Sequence, residues 1–435
     1  MWEKMKRKQL SELLLQTGGL LLILICCSGM SRLMEYRIYL IGLFGLCMYF
    51  RELLIKENLY ISPIGLLQFT FIILCILGIL SSMNRVETIK YSFVYLCMFP
   101  MFIFMYTKDF FCYVRKGLQI VTFLVAISII LNSLLPNLFL TTLNFLIRPG
   151  MQPWLYEEIK NHFYSGIAGE KGEAAMLMVV GVSLTLSKFV GKNRVTKKDF
   201  ILLLVYLLAL ILPAKRTLFA IGIVLCVFYM LFFTERKKRI IVIAMGLLLL
   251  LMIIIFAEDI PGLSNILVRF TENSGDTSLN GRSYLWERAI QMIKAKPVTG
   301  FGYGSYNTFA SIYGVRTSST GDWAFHAHNI YLQVLAETGL IGGFALFSSM
   351  LFSLFRLSVL YRRRTLLTET QRELMAFALL MQMCFLVYGI TGNILYGTNQ
   401  MCLFLFTFGI VVSLEREYRS KIKGKVMEEL VRRRR

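Results

Sequence analysis

Long apolar runs separated by short polar connections dominate the hydropathy pattern of this chain of 435 residues. Most runs approach or reach the ~20 residues that a helix needs to cross a hydrocarbon core of ~30 Å. The predicted spans are 12–30, 36–51, 61–82, 91–107, 117–136, 173–190, 199–213, 217–234, 240–257, 339–357, 374–391 and 399–415. The pattern predicts an all-α integral membrane protein with about twelve transmembrane helices.

Composition and charge narrow the class further. Hydrophobic residues make up 56% of the chain, and the formal net charge is +21. The basic residues form short clusters between apolar runs, which is typical of membrane topology and not of a nucleic-acid surface, so we expect no nucleic-acid partner. The nine cysteines show no paired spacing in the predicted outer connections, which argues against a disulfide framework or a zinc cluster.

Counting lysine and arginine in alternate connections predicts the orientation. With an inside N-terminus, the inner connections hold 31 of these residues and the outer ones hold 15. This asymmetry predicts a multi-pass protein of the cytoplasmic membrane with both termini in the cytoplasm. The first run, despite its basic flank, is interpreted as a retained span. Residues 199–234 are interpreted as a hairpin, although one long helix is the alternative.

The topology divides the chain into four parts. Residues 1–257 hold spans one to nine with an outer segment at 137–172, 258–327 form a large outer loop with short amphipathic helices, and 328–415 hold the last three spans. Residues 416–435 form a basic cytoplasmic tail suited to anionic lipid. The loop of about 70 residues is the one connection large enough to fold over a membrane-embedded cavity, so function is expected there.

Two cations stand in the sequence A-K-R-T between the seventh and eighth spans. Both flanking apolar stretches are short, so Lys215 and Arg216 are predicted to lie below the outer interface. A charge held within a membrane costs about 2.5–3.5 kcal/mol on insertion scales unless it has a partner, which makes both residues candidates for ligand binding. The alternative is that they extend to outer lipid headgroups.

The segment 281–294 predicts an amphipathic helix in the outer loop. Its predicted apolar stripe consists of Leu285, Trp286, Ala289, Ile290 and Ile293. Arg282 lies on this stripe in the first turn, behind a plausible N-cap, Asn280, so the helix start is a candidate anion site. Arg288 is a weaker candidate because it tends to point to the opposite side, and lipid-surface packing of the stems remains an alternative. The following G-F-G-Y-G at 300–304 suits a phosphate-binding nest, but a plain turn fits it better.

The sequence H-A-H-N at 326–329 is the second cluster of the outer loop. His328 is expected to share the buried face of a helix with Leu332 and Leu335, where a neutral imidazole can act as a general base. Three alternatives remain: a structural histidine, a hydrogen-bond donor to phosphate or sugar, and a metal ligand together with His326 and Asp322. The histidine spacing matches no common zinc motif. His326 and Asn329 are possible supporting residues.

Two carboxylates lie in the segment S-G-I-A-G-E-K-G-E at 165–173. Glu170 and Glu173 are predicted near the outer face, just before the sixth span. Either of them could orient His328 or bind a sugar hydroxyl, although a solvated loop fits the pattern better.

In order, the K-R-T turn, L-N-G-R-x-x-x-W, G-x-G and A-H-N-x-Y-L-Q-x-L-A-E-T-G-L-I-G resemble the O-antigen ligase and polymerase family of bacterial polysaccharide assembly. The resemblance covers about 165–350. It implies an all-helical membrane glycosyltransferase that takes polyprenyl-pyrophosphate-linked glycans on the outer face and inverts the anomeric centre. It implies neither a metal nor another cofactor.

By position, the resemblance implies that Arg216 and Arg282 bind pyrophosphate and that His328 is the catalytic residue. Lys215 departs from the family, which often has serine there. The leading hypothesis is a polymerase of lipid-linked repeats for capsule, exopolysaccharide or O-antigen, with a flippase and a chain-length regulator of the same pathway as expected partners. A ligase with a lipid, protein or wall acceptor is the first alternative and a flippase the second, while a purely structural role is a distant third.

Overall fold

The computed structural model describes residues 2–29, 32–55, 62–103, 108–191, 196–233, 280–312 and 326–434. These residues form helices joined by turns, with no β-strand among them. The prediction of an all-α integral membrane protein is therefore confirmed. The predicted span 240–257, much of the predicted outer loop and Asp322 lie outside the described residues.

The helices of the described part follow one another with short connections. They are α1 (Trp2–Cys26), α2 (Arg37–Ile55), α3 (Pro63–Gly78), α4 (Arg85–Met98), α5 (Pro100–Ile103), α6 (Lys108–Leu134), α7 (Pro136–Thr142), α8 (Gln152–Lys160), α9 (Lys171–Gly191), α10 (Lys197–Ile211), α11 (Arg216–Phe233), α12 (Asn280–Ala295), α13 (Tyr306–Ile312), α14 (Ile330–Arg362), α15 (Glu369–Tyr388) and α16 (Thr398–Arg434).

Nine segments of the described part are long and apolar enough to cross a membrane. They correspond to α1, α2, α3, α4 with α5, α6, α9, α11, α14 and the first part of α16. Helix α10 has 15 residues and is shorter than these segments, while α15 has 20 residues but a more polar first turn. Both match predicted spans, and with 240–257 they account for the remainder of the predicted twelve.

Helices α9 and α16 form the centre of the bundle. In their apolar segments 89% and 94% of the residues are buried, whereas only 22% of those in α11 are buried. Helix α15 packs between the two central helices, where the rings of Phe385 and Phe404 meet edge to face with their centroids 5.3 Å apart. Two buried helices of this kind read as uniformly apolar runs in the sequence.

Contacts at one end of the bundle join segments that the topology places outside. Arg148 pairs with Glu35 at 3.2 Å, and the Asn84 amide donates to the Thr308 hydroxyl at 2.8 Å. At the opposite end, Arg115 pairs with Glu373 at 2.6 Å and Arg356 pairs with Glu415 at 2.9 Å, and these residues flank the predicted inner connections. The pairing agrees with the predicted alternation, while the side that faces the cytoplasm stays a prediction.

Residues 197–233 form a helical hairpin. Helix α10 begins with a capping box between Thr196 and Asp199, and ends at Ile211. The chain turns through Ala214, whose φ of 52° lies in the left-handed region, before α11 begins at Arg216. The single long helix considered for this segment is therefore excluded.

The last helices differ from the prediction in continuity. Helix α14 runs from Ile330 to Arg362 with a kink at Gly339, so it begins before the predicted span 339–357 and continues through it. Helix α16 continues from Thr398 to Arg434, so the described part of the basic tail is the end of the last spanning helix.

Candidate functional site

A polar cavity of about 450 Å³ opens at the end of the bundle where the predicted outer segments meet. Its walls come from the start of α9, the α10–α11 turn, the first turn of α12, the segment before α14 and the α15–α16 connection. The lining residues are Glu170, Lys171, Gly172, Glu173, Ala214, Lys215, Arg216, Thr217, Leu218, Arg282, His326, His328, Tyr388, Thr391, Asn393, Tyr396, Gly397 and Gln400. Four lysine and arginine side chains against two carboxylates give the lining an excess of positive charge.

The α10–α11 turn holds Lys215 and Arg216 at the cavity. Ala214 is buried against Phe163 and donates its N–H to the Ile211 carbonyl at 3.0 Å, which fixes the turn beneath the surface. Both cationic side chains are half-buried. The depth of these two charges relative to the membrane interface stays a prediction.

Arg282 approaches the same cavity from the first turn of α12. Burial lowers the pKa of its guanidinium, the nearby Tyr388 raises it, and the like charge of Arg216 lowers it again. The coupling shows that the two arginines act on each other electrostatically. Like charges at a desolvated site repel, and an anion between them would convert this repulsion into attraction.

Arg288, a candidate from the sequence, does not line the cavity. Its guanidinium donates to the Tyr284 hydroxyl at 3.2 Å and to Gln291 Oε1 at 3.4 Å, both on its own helix, and it stacks on the Tyr284 ring. Arg288 and Arg282 lie on different faces of α12, so Arg282 reaches the cavity and Arg288 does not.

The buried stripe of α12 is also shifted from the predicted one. Leu285, Ala289 and Met292 are buried at a spacing of four and three residues, whereas Ile290 is 40% exposed. Met292 therefore takes the place expected for Ile290. The helix packs through these residues on Phe301, Tyr306 and Ala336, which places Arg282 beside the start of α14.

His328 lies in the connection before α14 and not on the helix itself. Its φ of 50° is in the left-handed region, and Asn329 follows as the N-cap, with Oδ1 accepting from the N–H groups of Tyr331 and Leu332. The expected helical face of His328, Leu332 and Leu335 is therefore wrong. Asn329 serves as a helix cap, and its side chain is not part of the cavity lining.

The environment of His328 keeps its imidazole neutral. Burial lowers its pKa, and the cations Arg282 and Lys215 lower it further, from the ordinary 6.5 to about 4. Nδ1 lies 3.2 Å from Nδ2 of Asn393, in the α15–α16 connection. His328 thus faces the two cations with an uncharged ring at neutral pH.

His326 has a different setting beside the cavity. Its Nδ1 lies 3.1 Å from Nε2 of Gln333, and its ring contacts that of Tyr396 in a tilted arrangement, with the centroids 5.1 Å apart. Burial lowers its pKa to about 4, with smaller contributions from His328 and Lys90. Gln333 and Tyr396 both also hydrogen-bond to Glu337, and we call the residues that meet at Glu337 the frame of the site.

Glu337 is the centre of that frame. This fully buried carboxylate accepts hydrogen bonds from the N–H groups of Gly304 and Tyr306, the Tyr396 hydroxyl and the Gln333 amide, at 2.8, 2.9, 2.6 and 3.2 Å. Gln333 and Glu337 therefore form the polar buried face of α14. The start of α14, the glycine-rich segment and the α15–α16 connection are held together by one side chain.

The G-F-G-Y-G segment is a turn bonded to α14. Phe301 and Gly302 donate to the carbonyls of Ala336 and Glu337 at 3.3 and 2.8 Å, and Gly304 donates to the Glu337 carboxylate. These N–H groups are thus used within the protein, which favours the turn over a phosphate nest.

Gly300 and Gly339 pack closely against the backbone of each other's segment. Both have φ of 65°, and a Cβ on Gly339 would meet the Val298 carbonyl oxygen at 2.1 Å.

Glu170 and Glu173 both line the cavity at the start of α9. Glu170 caps the helix, since its Oε2 accepts from the Glu173 N–H at 2.9 Å. The carboxylate of Glu173 accepts from the amides of Asn399 and Gln400 at 2.7 and 3.1 Å. The amide that reaches His328 belongs to Asn393, which no sequence signal singled out.

Within the described residues no group of three or more histidine, cysteine, aspartate or glutamate side chains is arranged to hold a metal ion. His326 and His328 instead have amide partners at Nδ1.

Comparisons with known proteins place this site within a matched region. Residues 201–347 match the sequence profile of a family described as O-Antigen ligase, and this stretch includes Arg216, Arg282 and His328. A stretch of 74 residues is 36% identical to the Exopolysaccharide production protein ExoQ of Rhizobium meliloti (strain 1021). That match covers 15% of this chain and 16% of the relative's length.

Proposed function

We propose that this chain is a membrane glycosyltransferase of polysaccharide assembly. Its similarity to the O-antigen ligase family over residues 201–347 supports the proposal. Its substrate would be an oligosaccharide on a polyprenyl pyrophosphate, extended on the outer face of the cytoplasmic membrane. The proposal follows the sequence hypothesis of a polymerase, and the similarity to an exopolysaccharide production protein supports it.

One observation carries the proposal. Arg216, Arg282 and His328 come from three separate segments and line one cavity of about 450 Å³, a size that suits a sugar and a pyrophosphate group. The cavity lies at the boundary of the spanning helices, where a lipid-linked substrate presents its headgroup.

The cationic side of the cavity fits the leaving group. A pyrophosphate diester carries two negative charges, and it gains a further charge when the glycosidic bond breaks. Arg216 and Arg282 would bind it and stabilise the developing charge, with Lys215 as a third cation. A bound anion would lie between these positive charges and reduce the repulsion between Arg216 and Arg282.

The imidazole fits the acceptor. His328 is neutral at the pH of a bacterial surface because its pKa lies near 4, so the ring has a lone pair for the proton of a sugar hydroxyl. The deprotonated oxygen attacks the anomeric carbon from the face opposite the pyrophosphate, whose oxygen leaves with the bonding electron pair. This displacement inverts the anomeric centre and requires no metal.

The direct test incubates the purified protein with a polyprenyl-pyrophosphate oligosaccharide in the presence of a chelator and measures product length. We expect long chains from the parent and a loss of on the order of 10²–10⁴ in rate for His328→Gln. His162→Gln is the matched control, because His162 lies on the same end of the bundle, is exposed and lines no part of the cavity. Equal chain length and rate for both variants would contradict the assignment.

A ligase is the second candidate, favoured by the description of the matched family. The donor chemistry would be the same, and the acceptor would be a lipid, protein or wall polymer instead of another lipid-linked repeat. Offering both acceptors in the same assay separates the two functions by product. Movement of the lipid-linked repeat across vesicles without glycan extension would favour a flippase, and interaction with a chain-length regulator is a separate prediction.

A further inference from the structure

Both histidines of the H-A-H-N sequence meet a primary amide at the same ring nitrogen. Nδ1 of His326 lies 3.1 Å from the Gln333 amide, and Nδ1 of His328 lies 3.2 Å from the Asn393 amide. An amide can present its NH₂ group to a ring nitrogen that has a lone pair, or its oxygen to a ring nitrogen that carries a proton. The orientation of each amide thus determines where its imidazole carries the proton.

The neighbours of Gln333 fix its orientation. Its Oε1 accepts the backbone N–H of Ala327 at 3.0 Å, and its NH₂ group donates to Glu337 Oε1 at 3.2 Å. The second NH₂ hydrogen is therefore directed to Nδ1 of His326. His326 consequently carries its proton on Nε2, and a reversed amide would place NH₂ against the N–H of Ala327.

Asn393 differs from Gln333 on this point. Its Oδ1 is buried and makes no hydrogen bond to any described residue, so no neighbour in that part of the chain selects one amide orientation. The backbone around it is fixed, because the Asn393 carbonyl accepts from the N–H groups of Tyr396 and Gly397 at 2.9 and 3.3 Å. A further bond from the Ile330 N–H to the Gly389 carbonyl, 2.8 Å long, joins this connection to the start of α14.

We propose that Asn393 is a positioning residue, whose amide orientation selects the ring nitrogen of His328 that carries the proton; this inference rests on the proposed function. With NH₂ toward Nδ1, the proton of His328 lies on Nε2. With Oδ1 toward Nδ1, the proton lies on Nδ1 and Nε2 has the lone pair. The second arrangement is the reactive one, because it satisfies the buried oxygen and leaves a basic nitrogen.

The proton transfer balances in the reactive arrangement. Nε2 takes the proton of the acceptor hydroxyl, and the imidazolium keeps its Nδ1–H bonded to Asn393 Oδ1. The sugar oxygen bonds to the anomeric carbon while the bond from that carbon to the pyrophosphate oxygen breaks, and the electron pair leaves with the pyrophosphate. Release of the proton from Nε2 to water restores the neutral ring.

An amide suits this site better than a carboxylate would. The charged and titratable groups that share the cavity with His328 are Glu170, Lys171, Glu173, Lys215, Arg216, Arg282, His326, Tyr388 and Tyr396. A carboxylate at position 393 would hold the proton on Nδ1, but it would also pair with the cations and raise the pKa of His328. Asn393 orients the ring without adding charge to the anion site.

Ring nitrogen-15 NMR tests the tautomer without any activity measurement. The chain has only three histidines, so His162→Gln and His326→Gln assign the signals of the full-length labelled protein. We expect Asn393→Asp to move His328 to the Nδ1-protonated form. Asn393→Leu should change the ratio of the Nδ1-protonated and Nε2-protonated forms of His328 from that in the parent. His326 should stay Nε2-protonated in both variants. Asn137→Asp adds the same charge at an exposed position of the same end and should change neither ring. Unchanged His328 signals in both Asn393 variants would overturn the inference.

Glycan extension as a function of pH supplies the second readout. Asn393→Leu should lower kcat by about 10²-fold with little change in KM, and Asn393→Asp should recover part of that loss and move the acid limb to higher pH by ~1 unit or more. Equal pH profiles for parent and Asn393→Asp would also overturn the inference. If the parent extends no glycan while the NMR shifts occur, the proposed function fails and the control of the tautomer stands.

Discussion

Replacement of Glu337 by glutamine or alanine should destabilise the end of the bundle that carries the cavity. The carboxylate is fully buried and accepts four hydrogen bonds, two at each oxygen. Oε2 accepts from Tyr396 and Gly304, and Oε1 accepts from Tyr306 and Gln333. Three of these donors are N–H groups that cannot reverse their role.

The magnitude follows from the donors that each variant leaves without an acceptor. In Glu337→Gln the best orientation turns NH₂ toward Tyr396, whose hydroxyl can reverse and accept, so the Gly304 N–H alone loses its partner. One buried unsatisfied donor costs ~1–3 kcal/mol. Glu337→Ala leaves all four donors without this acceptor, and even at the lower end the cost is ~4 kcal/mol. That is comparable to the total stability of many folded domains, ~5–15 kcal/mol.

Equilibrium unfolding in mixed detergent micelles measures these free energies. Glu87→Gln is the matched control, because Glu87 is partly exposed and pairs with Lys90 at 2.8 Å, an interaction worth ~0–1 kcal/mol. We expect Glu337→Gln to lose more stability than the control and Glu337→Ala to accumulate poorly in membranes. A Glu337→Gln protein as stable as the parent, or a stable Glu337→Ala protein, would refute the reasoning.

Three further predictions concern the site. Arg282→Ala should reduce glycan extension by on the order of 10²–10³ because it removes a cation from the developing charge, whereas Arg288→Ala, on another face of α12, should stay close to the parent in the same rate assay. The pH profile of kcat/KM should be flat from neutral pH down to about 5 and fall through about 4, because His328 must be neutral to accept a proton and its pKa is lowered to about 4; a midpoint near 6.5 would contradict the desolvated setting. Gly339→Ala should destabilise the protein by ~2 kcal/mol or more in the same unfolding assay, because its Cβ would meet the Val298 carbonyl oxygen, while Gly150→Ala, with open space around it, should change little.

The sequence identified the cations and imidazoles of the cavity because their position is set by local features. Lys215 and Arg216 stand at a turn between two apolar runs, and Arg282 stands in the first turn of an amphipathic helix. Charges at such places need a partner whatever the rest of the fold is, so each is recognisable without tertiary information. The cavity brings these residues together with His326, His328 and Glu170.

The frame around those residues was not accessible from local patterns. The helical period of 330–337 suggested a leucine face, but Gln333 and Glu337 form the buried polar face because their partners arrive from 300–306 and 396. Asn393 reaches His328 across 65 positions of the chain. A short polar connection gives no sign of which side chain it meets, so only the packing of α14 and α15 reveals it.

The interlocked glycines bear on how the proposed lipid-linked substrate would enter the cavity. Gly300 packs against the Glu337 carbonyl carbon, and Gly339 packs against Val298. Backbone hydrogen bonds before and after these glycines join the segment 297–302 to the segment 336–341. Residues 297–304 therefore move with α14 as one body, and they cannot lift from it as a hinged cover. We therefore expect any widening of the entrance to come from displacement of α11 or α12 relative to α14. A cross-link between the glycine segment and α14 should leave turnover intact, whereas one between α11 and α14 should block it.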